Sequence, residues 1–128
     1  MSGHWTALSV LGFAIVSPLS ALAQTICTAD VRPSVVVEIS DGPTGAPRAD
    51  QARGVIIDAS YTDSLRPYGS SKDGVLVSRQ AGGERPGTYD VIVVHRGYEP
   101  WQVHHIKIGR DECHVRTVTL QAQLTRLR

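Results

Sequence analysis

Four histidines, His95, His104, His105 and His114, are the side chains in this 128-residue sequence best suited to hold a transition metal. A zinc or copper ion would need several of them converging to about 2.0–2.1 Å from one point. Their spacing argues against that. There is no H-x-x-x-H pair, and no run of cysteines accompanies them. His104 and His105 are adjacent, and neighbours in an extended strand point to opposite faces. Both reach one site only if the strand is bulged there. His95 with one of that pair, on neighbouring strands, remains as a small-molecule or metal site. The sequence favours unrelated surface or edge histidines, with no metal and no cofactor.

Nucleophilic chemistry has even less to work with. The G-x-S-x-G elbow of a serine hydrolase is absent. Cys113 and His114 adjoin, but on a strand they would face apart and form no dyad. Asp111-Glu112 reads as a solvated pair in a turn. No constellation meets the geometric roles a catalytic site requires, so a non-enzyme is expected. The two cysteines carry a different message. Cys27 and Cys113 form an even count, which reads as a disulfide in an exported chain. Redox-active thiols would need a C-x-x-C or an activating neighbour. The bridge would close a loop of 86 residue steps. Chain entropy then gives roughly 4–5 kcal/mol as an upper estimate.

Export is itself read from the first residues. Leu8–Val16 is an apolar run, followed by Ser17-Pro18-Leu19-Ser20 and then Ala21-Leu22-Ala23. That is the apolar stretch and small-x-small cleavage pattern of a secretory signal peptide, covering residues 1–23. The run is too short for a membrane span, which needs roughly 20 apolar residues. Ile26 before Cys27 argues against a lipoprotein. Cleavage leaves residues 24–128, one domain of ordinary size. All 13 basic and 12 acidic residues follow the cut, so the net charge stays +1. The basic residues are scattered without a run of three, which gives no sign of a nucleic-acid partner or of a membrane surface. Lys72 and Lys107 are the only lysines and Asn is absent, compositional marks of a GC-rich bacterial genome. The expected location is the periplasm or the outside of a bacterial cell.

The body of the chain alternates with period two. Val35, Val37 and Ile39 share one face of a strand, and Val55, Ile57 and Ala59 share one face of the next. Asp41–Pro47 and Ala81–Gly87 are dense in turn residues. Residues 62–74 read as a polar loop with a short strand inside, and Val75–Val77 as a short strand. Strands Thr88–His95, Trp101–Ile108 and Cys113–Ala122 follow, separated by turns. In Thr88–His95 the middle is apolar on both sides, as in a strand buried on both faces or one with Val on a half-exposed face. No segment after the leader keeps apolar spacing of 3.6 residues for three turns. The expectation is an all-β, Ig-like or prealbumin-like sandwich of about seven strands.

Two stretches sharpen this reading. Val35-Val36-Val37-Glu38-Ile39-Ser40-Asp41, with Thr44-Gly45-Ala46-Pro47, resembles the V-x-V-x-D-x-x-T-G-x-P opening of carboxypeptidase regulatory-like domains. Gly87-Thr88-Tyr89-Asp90-Val91, with Gly97-Tyr98, is similar to that family's later G-x-Y-x-V…G-Y signature. These domains are transthyretin-type β-sandwiches that support or bind and rarely do chemistry. The resemblance implies a non-catalytic structural or interaction module, with an envelope protein or a carbohydrate as partner. Related hydroxyisourate hydrolases end in Y-R-G-S, whereas this chain ends Leu124-Thr125-Arg126-Leu127-Arg128. Intradiol dioxygenases need a spacing of Tyr and His that is not found here. Tyr89 is expected in the core with its hydroxyl satisfied locally. Tyr98, Trp101, His95 and His105 are the candidate interaction surface. Packing at the core edge is the competing role for the two aromatics. Loops 62–74 and 80–87, or a sheet edge, would supply further contacts.

Overall fold

The computed structural model describes residues 2–4, 11–14 and 25–128. The cleavage point expected after Ala23 lies outside them. The described chain is all-β, with eight strands: β1 Pro33–Asp41, β2 Arg53–Asp58, β3 Tyr61–Ser64, β4 Arg66–Lys72, β5 Val75–Gly83, β6 Gly87–Val94, β7 Trp101–Ile108 and β8 Val118–Leu124. They form two four-stranded sheets, ordered β4-β5-β1-β8 and β3-β2-β6-β7. Every pairing is antiparallel except β1 with β8, which run parallel. The architecture is a β-sandwich, as the alternation and turn spacing predict.

The alternation decides which side chains meet between the sheets. Val35, Val37 and Ile39 of β1 lie beside Val118, Leu120 and Ala122 of β8 in register. Across the sandwich they meet Ile56, Tyr89, Val91 and Val93. Fully burying one such aliphatic side chain contributes about 1.5–3 kcal/mol. In β6 the inner residues Val91 and Val93 are sealed, whereas Ile92 is half-buried and Val94 is 44% exposed. The strand is thus buried on one face, and β-branched residues occupy the other. Tyr89 is fully buried. Its hydroxyl donates to the Arg85 carbonyl at 2.7 Å and accepts from Arg85 Nη1 at 3.0 Å, so it is satisfied within one turn.

Three boundaries differ from the sequence expectation. Residues 62–74 are mostly strand: β3 ends at Ser64, Leu65 turns inward at the corner, and β4 begins at Arg66. β4 is an edge strand paired on one side only, so it lacks the apolar alternation that would have announced it. β5 continues to Gly83 because its polar middle pairs with β1, Val37 opposite Arg79 and Glu38 opposite Ser78. The last strand starts at Val118 and not at Cys113. Asp111 Oδ1 accepts the N–H groups of Cys113 (2.8 Å) and His114 (2.9 Å), which bends that segment out of extended form. The loops expected to offer contacts at 62–74 and 80–87 are therefore largely sheet.

Candidate functional site

The site is built from the end of β1. Asp41 closes that strand and is fully buried. Its carboxylate accepts from Thr44 N (3.1 Å) and Thr44 Oγ1 (2.5 Å), which folds the Asp41–Pro47 turn. It also accepts from the Tyr98 hydroxyl (2.8 Å) and, bidentately, from Arg126 Nε and Nη2 (2.8 Å each). The Arg126 guanidinium, then Thr44, holds the Asp41 carboxyl far below the ordinary carboxylate range. Arg48 Nε donates to the Tyr98 oxygen at 3.1 Å. One buried charge therefore pins the β1–β2 loop, the β6–β7 turn and the C-terminal segment together.

That frame fixes a basic cleft at the same end of the sandwich. The turn His95-Arg96-Gly97-Tyr98 closes with a 3.1 Å bond from Tyr98 N to His95 O. Gly97 takes φ +87° there, the left-handed position a type II turn assigns to glycine. The turn sets His95 and Arg96 on one wall of a cleft of about 830 Å³. Arg53 and Arg79 line it too, with Asp50 as its one carboxylate. Arg79 is braced by bonds to the carbonyls of Ala49 (2.6 Å) and Asp50 (2.9 Å). Arg48 and His95 line a smaller adjoining hollow of about 280 Å³. Among the described residues Arg32, Arg66, Arg85 and Arg126 are in ion pairs with carboxylates, whereas Arg48, Arg53, Arg79 and Arg96 are in none. Four of the seven arginines without an ion pair are thus gathered at one place, while Arg110, Arg116 and Arg128 lie outside the cleft.

The opposite end carries the disulfide. Cys27 and Cys113 are bonded, as their parity predicts. Beside them His114, 5% exposed, bridges Glu84 Oε1 at Nδ1 (2.5 Å) and Thr28 Oγ1 at Nε2 (2.9 Å). The Arg32 N–H and then the His114 ring hold Glu84 below the usual carboxylate range. The order carboxylate, imidazole, hydroxyl is that of a hydrolase relay, but a relay also needs donors for an oxyanion. Here the N–H groups of Cys113 and His114 are taken by Asp111, and that of Val115 by Glu84. The chain Glu84–His114–Thr28 rivets the N-terminal segment to the sandwich.

The four residues of the expected interaction surface do not form one patch. Tyr98 and Trp101 are half-buried against the core, Trp101 in register with inward-facing Val93. His95 packs edge-on against Tyr98, ring centroids 5.0 Å apart, and faces the cleft. His105 lies further along β7, where the strand bulges: His104 and His105 together oppose Asp90. Asp90 accepts from His105 N at 3.1 Å and lies 3.3 Å from His104 Nδ1. The bulge that could bring both histidines together exists, with their rings 6.4 Å apart. Among the described residues no three His, Cys, Asp or Glu are grouped as a metal ion would need. The arginine cluster escaped sequence reasoning because its members come from four separate segments. Single basic residues in four segments give no local signal.

No protein-family model matches this chain, and no curated protein matches it. The likeness to carboxypeptidase regulatory-like domains rests on the motif residues themselves.

Proposed function

We propose that this chain is an exported, non-catalytic binding module of the bacterial cell envelope, built like a carboxypeptidase regulatory-like domain. The observation that carries the reading is the division of labour among its polar residues. The motif residues are spent on architecture: Asp41 and Thr44 fold the opening turn, Tyr98 ties it to the β6–β7 turn, and Tyr89 fills the core. Arg53, Arg79 and Arg96, which form no ion pair, line a cleft beside them. A disulfide supports an oxidising compartment. Leu11 and Phe13 in the expected leader are 82% and 91% exposed, so they take no part in the core. Among the described residues no helix is long and apolar enough to cross a membrane.

The test has two readouts. Expressed whole in a bacterial host, the chain is recovered outside the cytoplasm, beginning at Gln24, with Cys27 and Cys113 oxidised. Cross-linking of that processed protein in the envelope then holds one reproducible protein or glycan. A chain kept reduced in the cytoplasm with its leader intact would sink the export reading. Tight stoichiometric uptake of zinc or copper would replace the interaction module by a metal binder, and turnover of hydroxyisourate by a hydrolase.

A further inference from the structure

The basic cleft does not stop at the end of the sandwich. Arg53 and Val94 line it, and the same two residues line a shallow groove of about 480 Å³ on the outer face of the second sheet. They are direct cross-strand partners, and the next pair on the same face is Val55 with Ile92. Outward of the sheet Arg53 and Val94 therefore stand side by side, with Val55 and Ile92 as the next pair along the strands. Apolar side chains on a solvent-facing sheet are usually interspersed with polar ones. These three adjoin one another between Ser64 and Gln102 on the flanking strands, and Arg53 stands directly beside Val94. Charge and apolar surface are aligned along one axis.

We propose that this continuous surface binds an anionic amphiphile. Its oxyanion head, a phosphate or carboxylate, is held by Arg53, Arg79 and Arg96, and its apolar part lies along Val94, Ile92 and Val55. Guanidinium groups fit both head types because their planar fork matches two oxygens at once. Arg79 is already braced by two backbone carbonyls, so less freedom is lost on binding. Asp50, the one carboxylate in the cleft, accepts the Leu76 N–H at Oδ1 (3.0 Å), and its single charge is outnumbered by three arginines. The inference rests on the binding-module reading and names the ligand class for it.

The experiment is calorimetric titration of the whole, disulfide-bonded chain with octyl phosphate and octanoate below their micellar concentrations. Inorganic phosphate, acetate and octylammonium serve as comparisons. One octyl anion binds per chain, at least tenfold tighter than its short counterpart, since about two buried methylenes supply a factor of ten. The tighter of the two octyl anions identifies the head as phosphate or carboxylate. Arg53→Gln with Arg96→Gln weakens binding at least tenfold, whereas Arg116→Gln, at the disulfide end, leaves it unchanged. Val94→Ser removes the chain-length dependence and spares the head. All four substituted positions are solvent-exposed, and an unchanged Tm certifies the fold of each variant. No heat with either octyl anion at millimolar concentration overturns the proposal. So does equal binding of octylammonium, equal weakening by Arg116→Gln, or affinity independent of chain length. Such a failure would leave export and partner capture standing, because fractionation and cross-linking read those separately.

Discussion

Asp41 accepts five hydrogen bonds from side chains and backbone of three segments, and its charge is compensated by a single guanidinium. Its folded-state carboxyl is held below the ordinary value near 4. Between those two values the unfolded chain binds the extra proton, so stability falls as pH falls. The stabilisation is complete above the unfolded value and is lost progressively beneath it. Asp41→Asn is expected to be less stable at pH 7 and to show a shallower loss between pH 5 and pH 2. Urea midpoints across that range check it; parallel curves for the two proteins would refute it. Tyr98→Phe removes a hydrogen bond to the same charge and is expected to cost about 1.5–3 kcal/mol in urea unfolding. His105 presents the opposite case. It holds φ +57° at the β7 bulge, where a side chain other than glycine is disfavoured. His105→Gly is expected to raise the urea midpoint by about 0.5–1 kcal/mol in stability. A lowered midpoint would mean that the imidazole contributes contacts worth more than the backbone relief.

At the scale of elements, the legible strands are those with a buried face. β1 carried period-two Val and Ile and β6 an apolar middle, whereas β2 was read on the wrong face: Ile56 is sealed in the core, and the alternating set Val55, Ile57 and Ala59 lies half-buried or exposed on the other side. The Asp41 turn was visible because its donors and acceptor lie three residues apart. β4 was not legible, since an edge strand need not alternate. The bulge in β7 was not legible either: nothing local to His104-His105 marks two residues facing one. The disulfide followed from parity alone. The cleft was hidden for a deeper reason. Alternation tells a residue which face it takes, but not which strand or sheet lies beside it, and Arg53, Arg79 and Arg96 share one cleft only through strand order and the packing of one sheet on the other. Close approach of strands can be tested at Gly54. A Cβ there would run into the Ile92 carbonyl oxygen and reach Leu65 Cδ1 at 2.6 Å. Backbone cannot give way cheaply, so Gly54→Ala is expected to cost about 1–3 kcal/mol by overpacking. An unchanged Tm would show that β2 and β6 have slack at this pair.

For the whole molecule, the disulfide fastens exposed residues 25–32 to a sandwich whose core begins at Pro33. Thr28 with His114 and Arg32 with Glu84 fasten the same segment without covalent bonds. Replacing both cysteines by serine is expected to lower stability by up to roughly 4–5 kcal/mol, read in urea unfolding. A loss under about 1 kcal/mol would mean that the bridge strains the folded chain or that the unfolded chain stays compact without it, against the loop-entropy account. The strand order has a second consequence. β1 sits at the centre of its sheet, yet one of its two neighbours is β8, paired from Val35 with Val118 to Asp41 with Leu124. A ribosome delivers β1 early and β8 last. Until β8 has been made, β1 lacks one of its two neighbours and its sheet is incomplete. The strand made first is therefore completed by the strand made last, and the first sheet is assembled by joining the two ends of the domain.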